Sequence, residues 1–312
     1  MGSHAALEAV FANIAMYPRA FDYHRANSLT EAISLLAQLG PEARVIAGGQ
    51  SLVPLMKLRF ASPAHLIDLN FIPKLAFVEQ GVGTLRFGPL ARHAQIEDSD
   101  VIKKVPILHD CAAGIADAQV RNQGTIGGSL AEADPSGDWG PVLMTLDAQL
   151  HCIGLKGERT IPTREFFVDA YTTALAHDEL IKEITLRIPG KAGGGAYIAA
   201  KRCPQVYASA SVAVQLAMQD GVCQEASIAL GAVGLTAVRP TQAEAELRGK
   251  TINKAAIQRA AEAAMAATDA QPDMRGSADY KRALIGALLR EAIVVALRRS
   301  WGDNVEVSHH YA

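Results

Sequence analysis

Two short glycine-rich segments set the limits on what this chain can be. Gly48-Gly49-Gln50-Ser51 follows a four-residue stretch (44–47) that reads as a strand, and Thr125-Ile126-Gly127-Gly128-Ser129 follows a polar stretch (119–123) that reads as a loop. Paired glycines let the backbone turn its N–H groups outward with no Cβ in the way. Consecutive N–H groups then form a concave nest that attracts anions, phosphate above all. Ser51, Thr125 and Ser129 add hydroxyl donors. Two such segments from separate strands can grip a diphosphate from both sides; the alternative is a pair of ordinary turns. Neither matches the nucleotide loops of other folds. There is no G-x-x-x-x-G-K-[ST], and no G-x-G-x-x-G opens a helix after the first strand.

The pattern around these segments is mixed. Ser28-Leu29-Thr30-Glu31 is a capping box; Leu29, Ile33, Leu36 and Leu39 continue a helix that Gly40-Pro41 stops. A short helix is expected over 54–59, a strand over 65–69, and a hairpin turning at Gly81-Val82-Gly83. Helices are expected over 93–101, 106–118 and from Pro141, and strands over 149–153 and 180–188. Pro189-Gly190 and Gly193-Gly194-Gly195 punctuate the chain and mark a domain boundary. Beyond it, strands over 212–218 and 222–230 are joined by Asp220-Gly221, a type I′ turn dipeptide. Helices over 241–247, 253–266 and 277–299 follow. The resulting division is an extension (1–16), a first domain (17–192) and a second, smaller domain (193–312).

Composition excludes several classes. Of 312 residues 49% are apolar, enough for a core and too many for a disordered chain. Thirty basic against 32 acidic residues leave no basic footprint for nucleic acid. No apolar run approaches the ~18 residues of a membrane span. Cys111, Cys152, Cys203 and Cys223 lie far apart without a C-x-x-C pair, which suits buried free thiols rather than a zinc or iron–sulfur site. Residues 1–16 lack a basic start and read as a weakly ordered extension rather than a secretory signal. The expected location is cytoplasmic. His24, His65, His93, His109, His151 and His177 are scattered and form no catalytic set.

Ala47-Gly48-Gly49-Gln50-Ser51-Leu52 with Pro54-Leu55-Met56-Lys57 resembles the first FAD-binding motif of the medium, flavoprotein subunit of molybdenum hydroxylases. Thr125 to Ser129 with Ala133-Asp134-Pro135-Ser136-Gly137-Asp138 resembles the second. The resemblance extends to Phe21-Asp22-Tyr23 and to Arg275-Gly276-Ser277-Ala278-Asp279-Tyr280, and so covers nearly all of the chain from Tyr17. It implies an α+β fold: a two-part FAD-binding domain of the vanillyl-alcohol-oxidase type, then a smaller α+β C-terminal domain of antiparallel strands and helices.

The resemblance also implies roles. Ala47, Gly48, Gly49, Gln50, Ser51 and Leu52 would wrap the FAD pyrophosphate, with further donors from Thr125, Gly127, Gly128 and Ser129. Asp138 would hold ribose hydroxyls, since a carboxylate accepts two O–H bonds; Asp134 reads rather as a turn residue before Pro135. Leu180 joins the cofactor-binding set. Tyr197 either covers one face of the flavin ring or is a half-buried strand tyrosine. Lys201 either places positive charge near the flavin or is a solvated strand lysine. Gln50 cannot form a histidyl link, so FAD is expected to be non-covalent. No catalytic side chain and no metal ligand are expected on this chain. The expected partners are a molybdenum-cofactor large subunit and a small subunit with 2Fe-2S clusters, assembled as a dimer of heterotrimers. The chain would take electrons from those clusters and pass them to an external acceptor. The alternative is a stand-alone flavin oxidase or dehydrogenase of the same fold acting on a small organic substrate.

Overall fold

In the computed structural model, which describes residues 17–311, Ser28 begins the first helix, Leu29–Leu39. Its hydroxyl accepts from the Glu31 N–H at 3.1 Å, while the Glu31 carboxylate accepts from the N–H of Asn27, one residue earlier than a standard capping box. Ala32, Ile33 and Leu36 are buried, and Gly40 ends the helix at φ 65°. A three-stranded parallel sheet lies beside it, in the order Asp22–Arg25, His65–Asp68, Ala43–Ile46.

A five-stranded antiparallel sheet forms the second layer. Its order is Val78–Gln80, Thr84–Phe87, Leu180–Arg187, Gln149–Gly154, Gly157–Pro162. Between the second and fourth of these strands the chain makes a long helical excursion that carries the second glycine motif. That excursion differs from expectation in several places, among them the helix expected over 93–101, which ends at Glu97. Residues 119–123 belong to a helix, Ala118–Gln123, capped by Asp117. The preceding helix, Pro106–Gly114, stops four residues early. The strand Gly157–Pro162 escaped the sequence reading because its outward side chains are polar.

The C-terminal part is built on three long antiparallel strands, Gly193–Lys201, Ala210–Gln219 and Val222–Gly231. Asp220 and Gly221 both have positive φ, as a type I′ turn requires. Alternate residues along a strand point to opposite faces. Ala196, Ile198, Val212 and Val214 share a core with the helices Thr241–Leu247, Lys254–Ala266 and Ala278–Ser300. Tyr197, Ala199 and Ala213 share a core with the first domain. This sheet is therefore buried on both faces.

The glycine triplet 193–195 opens the first of these strands. A Cβ on Gly194 would lie 1.9 Å from the Ala296 carbonyl oxygen, so glycine is what lets the long helix settle on the sheet. Near that helix's C-terminus, Arg299 donates to both carboxylate oxygens of Asp110 at 2.6 and 2.9 Å, and to the Gly195 carbonyl at 2.7 Å. Both side chains are buried. Residues 1–16 and their expected extension lie outside the described residues.

Gly194→Ala should destabilise the protein by about 1–3 kcal/mol, the usual cost of overpacking a filled core. Thermal denaturation should show a melting temperature lower by several degrees; an unchanged transition would mean the helix can shift freely.

Candidate functional site

The first glycine loop leaves the sheet after Ile46 and enters the helix Leu52–Lys57. Gly49 turns it at φ 70°. Among the described residues, the N–H groups of Gly49, Gln50, Ser51 and Leu52 donate to no backbone or side-chain acceptor. Four consecutive free donors make an anion nest. The Gln50 amide folds back onto the Gly48 carbonyl at 3.1 Å.

The two glycine segments touch. A Cβ on Gly48 would lie 2.3 Å from the Gln123 carbonyl oxygen and 2.8 Å from the Gly124 Cα. Two residues that the sequence reading missed hold the contact. The Asn70 amide donates to the Ala47 carbonyl at 2.7 Å and accepts from the Arg92 guanidinium at 2.6 Å. Arg92 also donates to the Gln123 carbonyl. Asn70 is steadied in turn by Asp68, which accepts from its backbone N–H at 2.8 Å. No local motif marks Asn70 or Arg92; they meet only because the sheet brings them to one edge.

The second motif works differently from the first. Thr125 is the N-cap of the helix Ile126–Glu132, and its hydroxyl accepts from the Gly128 N–H at 3.1 Å. Ile126, Gly127 and Ser129 donate their N–H groups to Ala91, Pro89 and Thr125 carbonyls. The amides of Ile126, Gly127, Gly128 and Ser129 are therefore already engaged within the protein. A Cβ on Gly127 would lie 2.6 Å from the Pro89 carbonyl oxygen, so this glycine serves close packing. Ser129 still presents its side chain to the cleft.

Between the motifs lies a cleft of about 800 Å³, at the upper end of ordinary ligand sites (~300–1,000 Å³). Every predicted site residue lines it except Tyr197. Leu180 forms part of its apolar wall. Tyr197 is fully buried, and its hydroxyl donates to Asp138 Oδ1 at 2.6 Å. Burial first, then the Asp138 charge, pushes that phenol well above its ordinary pKa. It neither covers a ligand in the cleft nor sits half-exposed on a strand. Lys201 is 2% exposed, so it is not a solvated lysine. It donates to the Gly114 carbonyl at 2.8 Å and pairs with Asp138 at 3.2 Å. Asp138 thus reaches the cleft wall with its charge already met by Lys201 and Tyr197. Asp134 accepts from the Ser136 N–H at 2.8 Å, the turn role expected of it, and from the Tyr171 hydroxyl at 3.1 Å. The aromatic side chains that do reach the cleft are Tyr171 and Tyr207.

The cleft histidines are engaged. His93 accepts from the Trp139 indole N–H at 3.1 Å, and burial pulls its pKa down to about 4, so it is neutral at physiological pH. His177 bonds the Leu36 carbonyl at 3.2 Å. Of the thiols, Cys111, Cys152 and Cys223 are buried and free, and Cys203 is partly exposed.

A nest of amides, a close approach guarded by Gly48 and a long cleft with hydroxyl-bearing walls suit a diphosphate-bridged dinucleotide. The sequence model described as the FAD binding domain in molybdopterin dehydrogenase matches residues 19–189. The chain belongs to this family. A second model, the CO dehydrogenase flavoprotein C-terminal domain, matches 195–296. The chain is 38% identical to the carbon monoxide dehydrogenase medium chain of Hydrogenophaga pseudoflava, over 91% of this chain and 99% of that one. It is 37% identical to the 6-hydroxypseudooxynicotine dehydrogenase complex subunit alpha of Paenarthrobacter nicotinovorans, over 94% of this chain and all of that one. Among solved structures, a carbon monoxide dehydrogenase from Hydrogenophaga pseudoflava superposes with a TM-score of 0.89 at 40% identity, covering 90% of this chain and 99% of that one. Quinoline 2-oxidoreductase from Pseudomonas putida 86 gives 0.85 at 35% identity, covering 91% and 99%. The protein is an FAD-dependent oxidoreductase of this family with its two-domain α+β fold.

Asn70→Ala removes both the Ala47 bond and the acceptor for Arg92. Losing a bond to a charged partner costs about 1.5–3 kcal/mol, so FAD affinity should fall by roughly tenfold or more. Equilibrium dialysis against FAD measures this directly; unchanged affinity would show that the loops hold their spacing without Asn70.

Proposed function

We propose that this chain is the FAD-carrying electron-transfer subunit of a three-subunit molybdenum hydroxylase. It takes electrons from 2Fe-2S clusters on a small subunit and passes them to an external acceptor. Oxidation of the organic substrate belongs to a molybdenum-cofactor large subunit, and the assembly is a cytoplasmic dimer of heterotrimers. The observation that carries this reading is the run of four free amides, Gly49 to Leu52, facing a cleft of dinucleotide size. FAD supplies the redox chemistry when bound, exchanging electrons singly or in pairs; the protein binds and orients it.

Three features support a relay rather than a stand-alone oxidase. Both cleft histidines are already hydrogen-bonded, and the one lysine of its wall is locked to Asp138 and the Gly114 carbonyl, so none is a ready base for a substrate. The relatives include the medium chain of carbon monoxide dehydrogenase and a subunit of a dehydrogenase complex, which fits a protein that works with partners. Leu58 and Phe60 stand 65% and 81% exposed just past the helix that follows the nest, an apolar surface suited to a docked subunit beside the cofactor. The long C-terminal helix, by contrast, buries one broad face inside the protein.

The purified chain should lack substrate oxidation when alone and restore it when mixed with its partner subunits; full turnover by the lone polypeptide would overturn the assignment. The cofactor is dissociable, since residue 50 is a glutamine whose side chain bonds Gly48. Acid precipitation should leave all the yellow colour in the supernatant, and a coloured pellet would contradict a non-covalent site.

A further inference from the structure

One acidic side chain in the cleft has no cation to answer it. Asp138 is paired with Lys201, and Glu179 with Arg159. Glu132, the last residue of the helix Ile126–Glu132, lines the same cleft half-buried, and among the described residues no lysine or arginine forms an ion pair with it. It shares the cleft with the nest: Gly49, Gln50, Ser51 and Leu52 line the same walls as Glu132 and Tyr207. The titratable and charged groups around it come from several elements. Asp134 is on its own chain segment, Tyr171 on the strand pair beyond, Tyr207 on the segment after Lys201, and Asp138 with Lys201 deeper in the cleft. Arg275 acts on Tyr171 but is tied to Asp273 and Ser136. Acids and phenols dominate this neighbourhood. Burial, then the Asp134 charge, raises the Glu132 carboxyl above its ordinary value.

We propose that Glu132 must carry a proton for the first glycine loop to hold a diphosphate, so that FAD binding is coupled to proton uptake at this residue. This deepens the FAD reading and rests on it. A diphosphate seated on the amides of Gly49 to Leu52 brings two negative charges next to Ser51. An ionised Glu132 in the wall of the same cleft repels them across a low-dielectric space. A neutral Glu132 instead offers an O–H donor to Ser51 or to a phosphate oxygen. The sign follows from linkage: bound diphosphate raises the carboxyl further, so the complex binds one more proton than the free protein. Affinity is therefore greatest at low pH. It falls as pH rises from the free-state to the bound-state pKa of Glu132, and levels off above the latter.

The test is an equilibrium titration of FAD onto the deflavinated full-length protein, in the complex with which it is purified, between about pH 5.5 and 8.5. The diphosphate keeps its charge throughout this window. Flavin fluorescence quenching reads the dissociation constant. The wild type should weaken with pH, by at most tenfold per unit, since one proton is involved. Glu132→Gln should bind with no pH dependence, and at pH 8.5 more tightly than the wild type. Glu132→Asp, which keeps the charge, should keep the slope. A melting curve of the deflavinated Gln variant checks that it folds; if it does not, the slopes of the wild type and the Asp variant decide. FAD binding that is flat with pH in the wild type, or a slope that survives in Glu132→Gln, overturns the role of Glu132 alone. Failure to bind FAD at any pH overturns the FAD reading with it.

Discussion

The buried pairing of Arg299 with Asp110 holds the two domains in register. Asp110 belongs to the helix Pro106–Gly114 of the first domain, and Arg299 to the long helix Ala278–Ser300 of the second. The carboxylate also accepts from the Tyr197 N–H at 3.1 Å, and the guanidinium donates to the Gly195 and Val305 carbonyls, so the strand between the helices is pinned from both sides. A buried ion pair is weak evidence for net stability, because desolvation offsets much of the attraction. Its worth lies in registry: sliding the strand by one residue would turn Tyr197 and Lys201 to the opposite face. The C-terminal segment completes the seam. The His309 ring occupies the space a side chain on Gly114 would need, and it bonds the Asp110 carbonyl at 2.9 Å.

From this seam follows the floor of the cofactor cleft. Lys201 reaches Asp138 and the Gly114 carbonyl only because its strand lies flat against the first domain. The pair is nearly water-free, so it adds shape and little net charge to the cleft. The free amides of the first loop line the same cleft. The second motif keeps that loop in place through the Gly48–Gln123 contact and the Asn70–Arg92 bridge.

Much of this was legible before any coordinates. Thirteen of the fourteen residues assigned to a cofactor site line one cleft. Leu29–Leu39, Thr241–Leu247 and the Asp220-Gly221 turn followed from caps, periodicity and turn chemistry, which are local. The misreadings share a cause. Tyr197 is not a half-buried strand tyrosine, and Lys201, which lines the cleft, is not a solvated lysine, because both faces of their sheet are covered. The sequence offers no reason for Gly194 itself; that reason is the Ala296 carbonyl, a hundred residues away in sequence. Thr125 caps the helix Ile126–Glu132 as well as lining the cleft.

Sequence alone determined the family and most of the residues that line one cleft, because glycine pairs and capping residues act over a few positions of the chain. The tertiary structure alone decided which glycine segment keeps its amides free, that Tyr197 faces the core, and that Asn70 and Arg92 bridge the loops. Those outcomes depend on which distant carbonyl or carboxylate arrives beside each group, and side-chain order in a chain does not encode that distance.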